Sequence, residues 1–515
     1  MSDTRQKVNN LKTEEFIMTL SDLLQGVSVT KMFQTMYGKM VTTHDVMISG
    51  IQYDSRKVQR ENLFVALKGA GVDGHTFLSS AISNGAKVIV IEDDQAIPDS
   101  LCMHTGTVKI VVSNTRKALA QISANYYGRP AEKMTMIGVT GTNGKTTTTF
   151  LIKQMLESVS GIKAGLIGTV EYAIGNEKFP ATHTTPESLE MQQLFAQMVQ
   201  KGCTHCVMEV SSHALNQYRA YGISFAAAVF TNLTQDHLDY HGTMEDYFDA
   251  KKILFDGLNR DAVAVTNTDS DYGLKIVEGC KAKVLSYSVK NLSDVKAENV
   301  SVSVKGFTAV IKGETISTKL VGRFNVYNVL GAYAAVLALG IDIANKQSVF
   351  GSLVPAPGRF EQIQSTKGWT AIVDYAHTPD ALENCLQTIH DILPHRYKTK
   401  IITIFGAGGD RDITKRPKMG AIADRLSDVM IVTSDNARNE DPMEIISDIL
   451  EGISSKSKTF VEADRGKAIA KGLSMASSGD VILVAGKGHE DYQVVGKEKI
   501  HFSDKEEILK QAAIK

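Results

Sequence analysis

No stretch of this 515-residue chain approaches the ~20 consecutive apolar residues that a helix needs to cross a bilayer, so no membrane insertion is expected. Cysteine is scarce. Cys102, Cys203, Cys206, Cys280 and Cys385 form an odd, scattered set, which excludes a disulfide framework and suits a compartment where thiols stay reduced. Cys203 and Cys206 have C-x-x-C spacing, but a structural zinc site needs a second pair of ligands, and Cys206 opens the apolar run 206–210, which favours ordinary packing. Neither sign of charge is in excess: a net charge of -1 gives no field to gather nucleic acid, and no nucleic-acid partner is expected. The start, Met1-Ser2-Asp3-Thr4-Arg5, stays polar through Glu15 and lacks the apolar core of a secretion signal, so a cytoplasmic protein is expected. There is no short-period repeat and no low-complexity tract. Hydrophobic residues at 43% and charged residues at 22% leave an ordinary globular chain, long enough for three domains at about 150 residues each.

What is present is an α/β alternation. Residues 40–113 carry short β-type runs such as 63–67 and 88–91. From about 115, near-continuous apolar strands at 134–140, 206–210, 226–232 and 262–267 alternate with helical lengths, a pattern that implies a mainly parallel sheet covered on both faces. Residues 300–319 alternate like an antiparallel segment, and 325–339 read as a buried helix. Pro355-Ala356-Pro357-Gly358 favours an extended linker, after which strands are expected at 370–375, 400–405, 428–433 and 480–485. The boundaries that follow are 1–114, 115–356 and 357–515.

The most specific local signal is Gly138-Val139-Thr140-Gly141-Thr142-Asn143-Gly144-Lys145-Thr146-Thr147, placed between a strand and a helix. Glycines let backbone N–H groups close around phosphate oxygens, the helix N-terminus adds partial positive charge, Lys145 reaches the terminal phosphates and Thr146 can ligate Mg²⁺. The strict Walker pattern wants glycine where Val139 stands, so this is a shorter loop built on Gly141.

Ligands of open α/β sheets bind beyond the carboxyl ends of the strands, and the polar clusters lie there. Glu209-Val210-Ser211-Ser212-His213 ends one strand, and Asp236-His237-Leu238-Asp239 follows another. Asp374-Tyr375-Ala376-His377, Gly408-Gly409-Asp410-Arg411, Asp435-Asn436-Ala437-Arg438 and Gly486-Lys487-Gly488-His489-Glu490 take the same positions in the last domain, suggesting one shared cleft. Glu209 is a credible Mg²⁺ ligand, or else a cap of the next helix. His237 reads as a ligand or as a structural histidine. Arg359 and Asp374 would reach a nucleotide only if the last domain closes, or else form a surface ion pair.

Taken together, the loop at Gly141 to Thr146, Glu209 to His213, Asp236-His237-Leu238-Asp239-Tyr240-His241, Gly358-Arg359-Phe360-Glu361 and Asp374-Tyr375-Ala376-His377-Thr378-Pro379 resemble the Mur ligases of peptidoglycan synthesis over residues 50–505. Asp435 to Arg438 and Gly486 to Glu490 look most like the branch that adds the third residue of the peptide. The resemblance implies a small N-terminal α/β domain for the UDP part of the substrate, a central P-loop parallel-sheet ATPase domain and a C-terminal Rossmann-like domain that brings the amino acid. It implies ATP at Gly141 to Thr147, Asn328, Arg359 and Asp374. Ser55 is matched to the uridine nucleotide, with turn capping as its alternative. Thr184, Thr185, Ser211, Gln217 and Arg219 are matched to the muramoyl-peptide of a UDP-MurNAc-dipeptide. Two Mg²⁺ sites are implied, with Thr146, Glu209, His237 and a carbamylated Lys251 as ligands; on its residues alone Lys251 reads as a solvated helix lysine. Lys145, Lys251 and His237 are the implied catalytic set, and a monomer is expected.

The implied reaction is ATP-driven amide formation through an acyl phosphate. The family's meso-diaminopimelate form carries Asp-Asn-Pro-Arg, whose arginine can hold the distal carboxylate of the diamino acid. Here Ala437 replaces proline, which is expected to loosen the backbone at Arg438. Lysine has no distal carboxylate for Arg438, so meso-diaminopimelate is the expected substrate, with Arg411, Gly486 and Glu490 as further contacts and L-lysine as the alternative. A nucleotide-dependent switch is the rival class, but no Asn-Lys-x-Asp base-reading motif is present; a folate-polyglutamate or cyanophycin type of ligase is a third.

Overall fold

The computed structural model describes residues 17–69, 71–303, 305–341, 343, 347–393 and 398–511. The polar start read in the sequence lies outside them as far as residue 16. The described chain is α/β and divides into two compact units, residues 1–138 with 161–226, and 139–160 with 227–515. The division cuts the strand Thr135–Thr140 after Gly138. Among the described residues no helix is long and apolar enough to cross a membrane.

In the first unit, Val29–Phe33, Val108–Val112, Ala86–Ile91, Asn62–Val65 and Gly50–Gln52 neighbour one another in that order, parallel except for the first. Alternate residues of its strands, including Leu63, Val65, Val88 and Val90, meet Leu119 and Ile122 of the helix Thr115–Tyr126 in one apolar core. A second run holds His205–Glu209 parallel to Ala164–Ile167, which pairs antiparallel with Glu171–Ile174 and that with Glu177–Pro180. This antiparallel hairpin was not anticipated from the apolar pattern, because Glu177–Pro180 is largely exposed and carries no hydrophobic run.

In the second unit, Ala227–Phe230, Val263–Asn267, Lys283–Ser288 and Val295–Ser303 lie parallel and continue into the antiparallel strands Gly306–Ile311 and Glu314–Thr318. Helix Arg323–Ala338 packs beside Lys145–Glu157 and is buried nearly all round, as its mainly apolar sequence, interrupted at Asn325 and Asn328, requires. After the connection at 353–358, a six-stranded sheet runs Glu361–Gln364, Thr370–Asp374, Val481–Ala485, Ile401–Phe405, Val429–Val432, Thr459–Val461, parallel apart from its first edge strand. Helix Pro379–Ile392 shows why such elements form: Thr378 caps it by accepting from Ala381 N–H at 3.3 Å, and proline sits at its first position. Leu382, Leu386 and Ile389 make one fully buried face, each contributing about 1.5–3 kcal/mol.

Candidate active site

The phosphate loop belongs to the second unit, and its shape depends on two glycines. Gly141 has φ 146°, and a Cβ there would stand 1.9 Å from Thr231 Oγ1; Gly144 has φ 85°, and its Cβ would stand 2.5 Å from Asn328 Oδ1. Both are left-handed or beyond, where a side chain is strained in any case. The Thr231 hydroxyl donates to Asn143 O at 2.6 Å, Thr142 N–H donates to Asn232 O at 2.8 Å, and Asn143 N–H donates to Asn232 Oδ1 at 2.9 Å. No side chain caps the helix Lys145–Glu157, so its first N–H groups are placed to meet an anion. Lys145 Nζ donates to Gly141 O at 2.9 Å and Thr142 O at 2.8 Å. Thr147 is buried in the same turn.

Lys251 is not a solvated lysine. It is 1% exposed. Its Nζ donates to Gly141 O at 3.0 Å and lies 4.4 Å from the centre of the Tyr247 ring. Burial, and then repulsion by Lys145, push its pKa well below the ordinary lysine value. Helical spacing could have shown this: Tyr247, Ala250, Lys251, Leu254 and Phe255 make one buried stripe of Met244–Asp256. Tyr247 in turn bonds the Thr142 hydroxyl at 3.2 Å, a contact that the sequence reading missed. His237 has φ 55° and donates its backbone N–H to Asp236 Oδ1 at 2.9 Å; its ring meets Tyr247 edge-on at 6.1 Å.

Within this unit the C-terminal sheet reaches the phosphate loop. Arg359 Nη2 donates to Thr146 Oγ1 at 3.1 Å and its guanidinium lies 4.7 Å from the Tyr375 ring centre. Asp374 is buried and accepts from Phe360 N–H at 2.7 Å, so the pair is no surface ion pair; burial raises the Asp374 carboxyl. His377 is held down to about 4 by burial, with Nδ1 2.8 Å from Tyr375 O. Asp380, which the sequence did not mark, accepts from Asn143 Nδ2 at 2.6 Å.

Asp435 to Arg438 gather with Gly486 to Glu490. Glu490 Oε2 accepts from Asn436 Nδ2 at 2.8 Å and Lys487 Nζ at 3.0 Å, and a Cβ on Gly486 would stand 2.5 Å from Asp435 Oδ2. Arg438 Nη1 donates to Gly409 O at 2.6 Å. The loosening expected from Ala437 does not occur: Arg438 N–H donates to Val494 O at 3.0 Å and Gly496 N–H donates to Arg438 O at 2.7 Å, so the hairpin of Tyr492–Val495 and Glu498–His501 fixes this backbone without proline. Arg411 is exposed on the neighbouring loop and donates to Asp410 O at 3.0 Å.

In the first unit, Glu209 is buried and accepts from Thr169 N–H at 2.8 Å and the Thr169 hydroxyl at 3.0 Å. It does not cap the next helix; Ser211 does, accepting from Ala214 N–H at 3.2 Å. Thr184 bonds Thr169 at 3.0 Å. Thr185 donates to Glu209 O at 2.8 Å and accepts from Ser211 N–H at 3.1 Å. Arg219 donates to Thr185 O at 2.9 Å and Gln217 Oε1 at 2.7 Å, so five of the expected contacts form one cluster. Ser55 lies apart from these bonds, buried; Asp54, not Ser55, caps that turn by accepting from Arg56 N–H at 3.1 Å. Cys203 and Cys206 are buried and not joined in a disulfide, and burial pushes the Cys206 thiol up.

Among the described residues no three or more His, Cys, Asp or Glu stand together to hold a metal alone. In the second unit Thr146 carries an oxygen donor of the kind that Mg²⁺ prefers, and that ion fills its remaining positions from phosphate and water, so the phosphate loop fits Mg²⁺ bound together with a triphosphate. In the first unit Glu209 carries a carboxylate of the kind that Mg²⁺ prefers. An amine at Lys251 is no such donor, whereas its carbamate is.

Three family models match the chain: Mur ligase family, catalytic domain over residues 47–127; Mur ligase middle domain over 139–336; and Mur ligase, glutamate ligase domain over 358–488. A UDP-N-acetylmuramoyl-L-alanyl-D-glutamate--2,6-diaminopimelate ligase from Clostridium botulinum is 46% identical over 467 residues, covering 90% of this chain and 94% of the relative. Its counterpart of that name from Geobacillus kaustophilus is 43% identical over 479 residues, covering 91% and 95%. A solved structure with the same ligase name aligns over 96% of this chain and 99% of its own, with TM-score 0.66 and 30% identity. A MurF ligase from Thermotoga maritima in complex with ADP shares the fold at TM-score 0.60 and 20% identity, over 90% and 96% of the two chains.

Proposed function

This chain belongs to the Mur ligase family, and from that premise we propose that it joins meso-diaminopimelate to the side-chain carboxylate of D-glutamate in UDP-N-acetylmuramoyl-L-alanyl-D-glutamate, driven by ATP, in peptidoglycan precursor synthesis. The observation that supports the choice of amino acid is the fixed backbone of Arg438 in the loop whose Asn436 donates to the carboxylate of Glu490: a guanidinium held on such a backbone suits a distal carboxylate, and a carboxylate suits the distal ammonium.

The chemistry follows from leaving-group ability. A carboxylate is a poor acyl donor until its oxygen is phosphorylated, so the acceptor carboxylate attacks the γ-phosphorus, ADP leaves, and the acyl phosphate is then attacked by the amine. Lys145, the loop N–H groups and the helix N-terminus would stabilise charge on the transferring group. Arg359, through the Thr146 hydroxyl, would fix the loop's first helical turn. Mg²⁺, when bound, supplies electrostatic stabilisation of the phosphoryl charge. Thr146, His237 and Lys251 are proposed as Mg²⁺ holders of the second unit, and Glu209 is separately proposed as a Mg²⁺ ligand of the first. Lys251 is suited to carbamylation because its depressed pKa favours the neutral amine that attacks carbon dioxide. Thr184, Thr185, Ser211, Gln217 and Arg219 would hold the muramoyl-peptide, and Ser55 the uridine nucleotide.

We take the domains as 1–114, 115–356 and 357–515, in a cytoplasmic monomer whose partners are these small molecules. The test is phosphate release from ATP with the UDP-linked dipeptide and either meso-diaminopimelate, L-lysine or no amino acid. Release confined to diaminopimelate supports the reading. Release confined to lysine overturns the substrate, and release without amino acid favours a nucleotide switch.

A further inference from the structure

Lys487 lies just past the strand Val481–Ala485, and its side chain is 0% exposed. A lysine buried to that degree is unfavourable unless its charge is matched and its protons are bonded. Both conditions hold. Nζ donates to Glu490 Oε2 at 3.0 Å and to Asn436 Oδ1 at 3.3 Å, stands 4.0 Å from Asp435 Oδ1, and lies 5.4 Å from the centre of the Tyr492 ring. One cation therefore stands between two carboxylates that are themselves largely withdrawn from solvent. The guanidinium of Arg465, which also acts on Asp435, is engaged by Asp504 through two bonds at 2.7 and 2.8 Å. Asp435, Glu490 and Lys487 together thus leave one negative charge, the complement of a single ammonium.

The two oxygens of Glu490 have different surroundings. Oε2 is held twice, by Lys487 Nζ and by Asn436 Nδ2 at 2.8 Å. Among the described residues Oε1 is met by the Tyr375 and Tyr492 hydroxyls, each at 3.5 Å, the outer limit of a hydrogen bond. A carboxylate gripped through one oxygen keeps its orientation, and its other oxygen can accept from a ligand. The grip is itself braced. Glu490 N–H donates to Lys487 O at 2.9 Å, closing a tight turn, and Asn436 Oδ1 accepts from Val494 N–H at 3.0 Å as well as from Lys487.

We propose that Lys487 is a positioning residue for the distal ammonium of the diamino acid: it fixes Glu490 through Oε2 and offsets one of the two carboxylates, leaving Glu490 Oε1 to accept from that ammonium. The inference rests on the ligase reading above and deepens it. Diaminopimelate and lysine both carry the distal ammonium, so Lys487 and Glu490 do not separate these two; Arg438 does. What Lys487 and Glu490 select against is an amino acid with no distal amine. The site then has two separable halves, a guanidinium for the carboxylate and a lysine-braced carboxylate for the ammonium.

The full-length chain tests this. Turnover by the unsubstituted protein is measured first; its absence refutes the ligase reading and this inference with it. Given turnover, the probe is 2-aminopimelate, which keeps the distal carboxylate and lacks the distal amine. It is added as a competitor, and its inhibition constant is read from the diaminopimelate product. In Lys487→Met the KM for meso-diaminopimelate should rise roughly ten- to a hundredfold, the scale of a hydrogen bond to a charged group, with the KM for ATP and the inhibition constant of 2-aminopimelate unchanged. Equal weakening of both compounds overturns the proposal, because a lysine that only holds the loops together would weaken whatever binds there. An unchanged KM for diaminopimelate overturns it too, and both results leave the ligase reading standing. If thermal melting shows Lys487→Met unfolded, Lys487→Arg decides. It should keep both constants or weaken diaminopimelate alone, and a folded arginine variant in which both compounds weaken alike contradicts the proposal.

Discussion

Asp504→Asn replaces one oxygen by an amide nitrogen, yet it should be among the most damaging substitutions in the C-terminal half. The Arg465 and Asp504 side chains are both 0% exposed and form a forked pair, Nε to Oδ1 at 2.7 Å and Nη2 to Oδ2 at 2.8 Å. The same guanidinium donates to Ala485 O at 2.9 Å and Ser434 O at 3.3 Å, the residues just before Gly486 and Asp435. Removing the carboxylate charge breaks a buried ion pair and leaves Arg465 with only the less direct Asp435 and Glu490 carboxylates, at a cost of about 3–5 kcal/mol. At about 2–4 °C per kcal/mol for a cooperative unit of this size, the transition of the C-terminal region should fall by about 6–20 °C. Calorimetry reads that directly, and the KM for the amino acid should rise because both site loops lose an anchor, while nucleotide binding stays intact. The double variant Arg465→Met with Asp504→Leu should regain most of the stability, since an apolar pair buries no charge. A transition for Asp504→Asn at the original temperature would refute the reasoning.

Three further outcomes are expected. Lys251→Ala should abolish turnover, and a small carboxylic acid added to the variant should restore part of it by supplying the missing oxygen donor; full activity that bicarbonate does not influence would refute the carbamate. Arg438→Ala should raise the KM for meso-diaminopimelate by roughly ten- to a hundredfold, the worth of one charge-assisted pair, and narrow its advantage over lysine; unchanged use of both amino acids would refute the role. His377 has a folded pKa near 4 against an ordinary 6.5, so below 6.5 the unfolded chain takes up a proton that the fold does not, and stability falls as pH drops towards 4 by about 1.4 kcal/mol per unit from this group. His377→Asn should flatten that slope in melting curves taken across the same range.

Much of the fold was legible because buried parallel strands announce themselves: 134–140 became Thr135–Thr140, 400–405 became Ile401–Phe405 and 480–485 became Val481–Ala485. Edge strands were not, since Glu361–Gln364 and Glu498–His501 lack a continuous apolar run. The loop residues were legible through their glycines and lysine. Polar contacts between distant segments were not, because no local pattern encodes that Asp380 meets Asn143, that Arg465 meets Asp504, or that Val494 steadies Arg438. Lys251 lay between these cases: its charge suggested solvent, while its place in the stripe with Tyr247 and Leu254 showed the buried face.

The most direct test follows an oxygen atom. With the D-glutamate side-chain carboxylate of the UDP-linked dipeptide labelled with oxygen-18, turnover with meso-diaminopimelate and ATP should place one labelled oxygen in each inorganic phosphate released, as read by mass spectrometry. Unlabelled phosphate accompanying amide formation would contradict an acyl phosphate, and with it the account of this site.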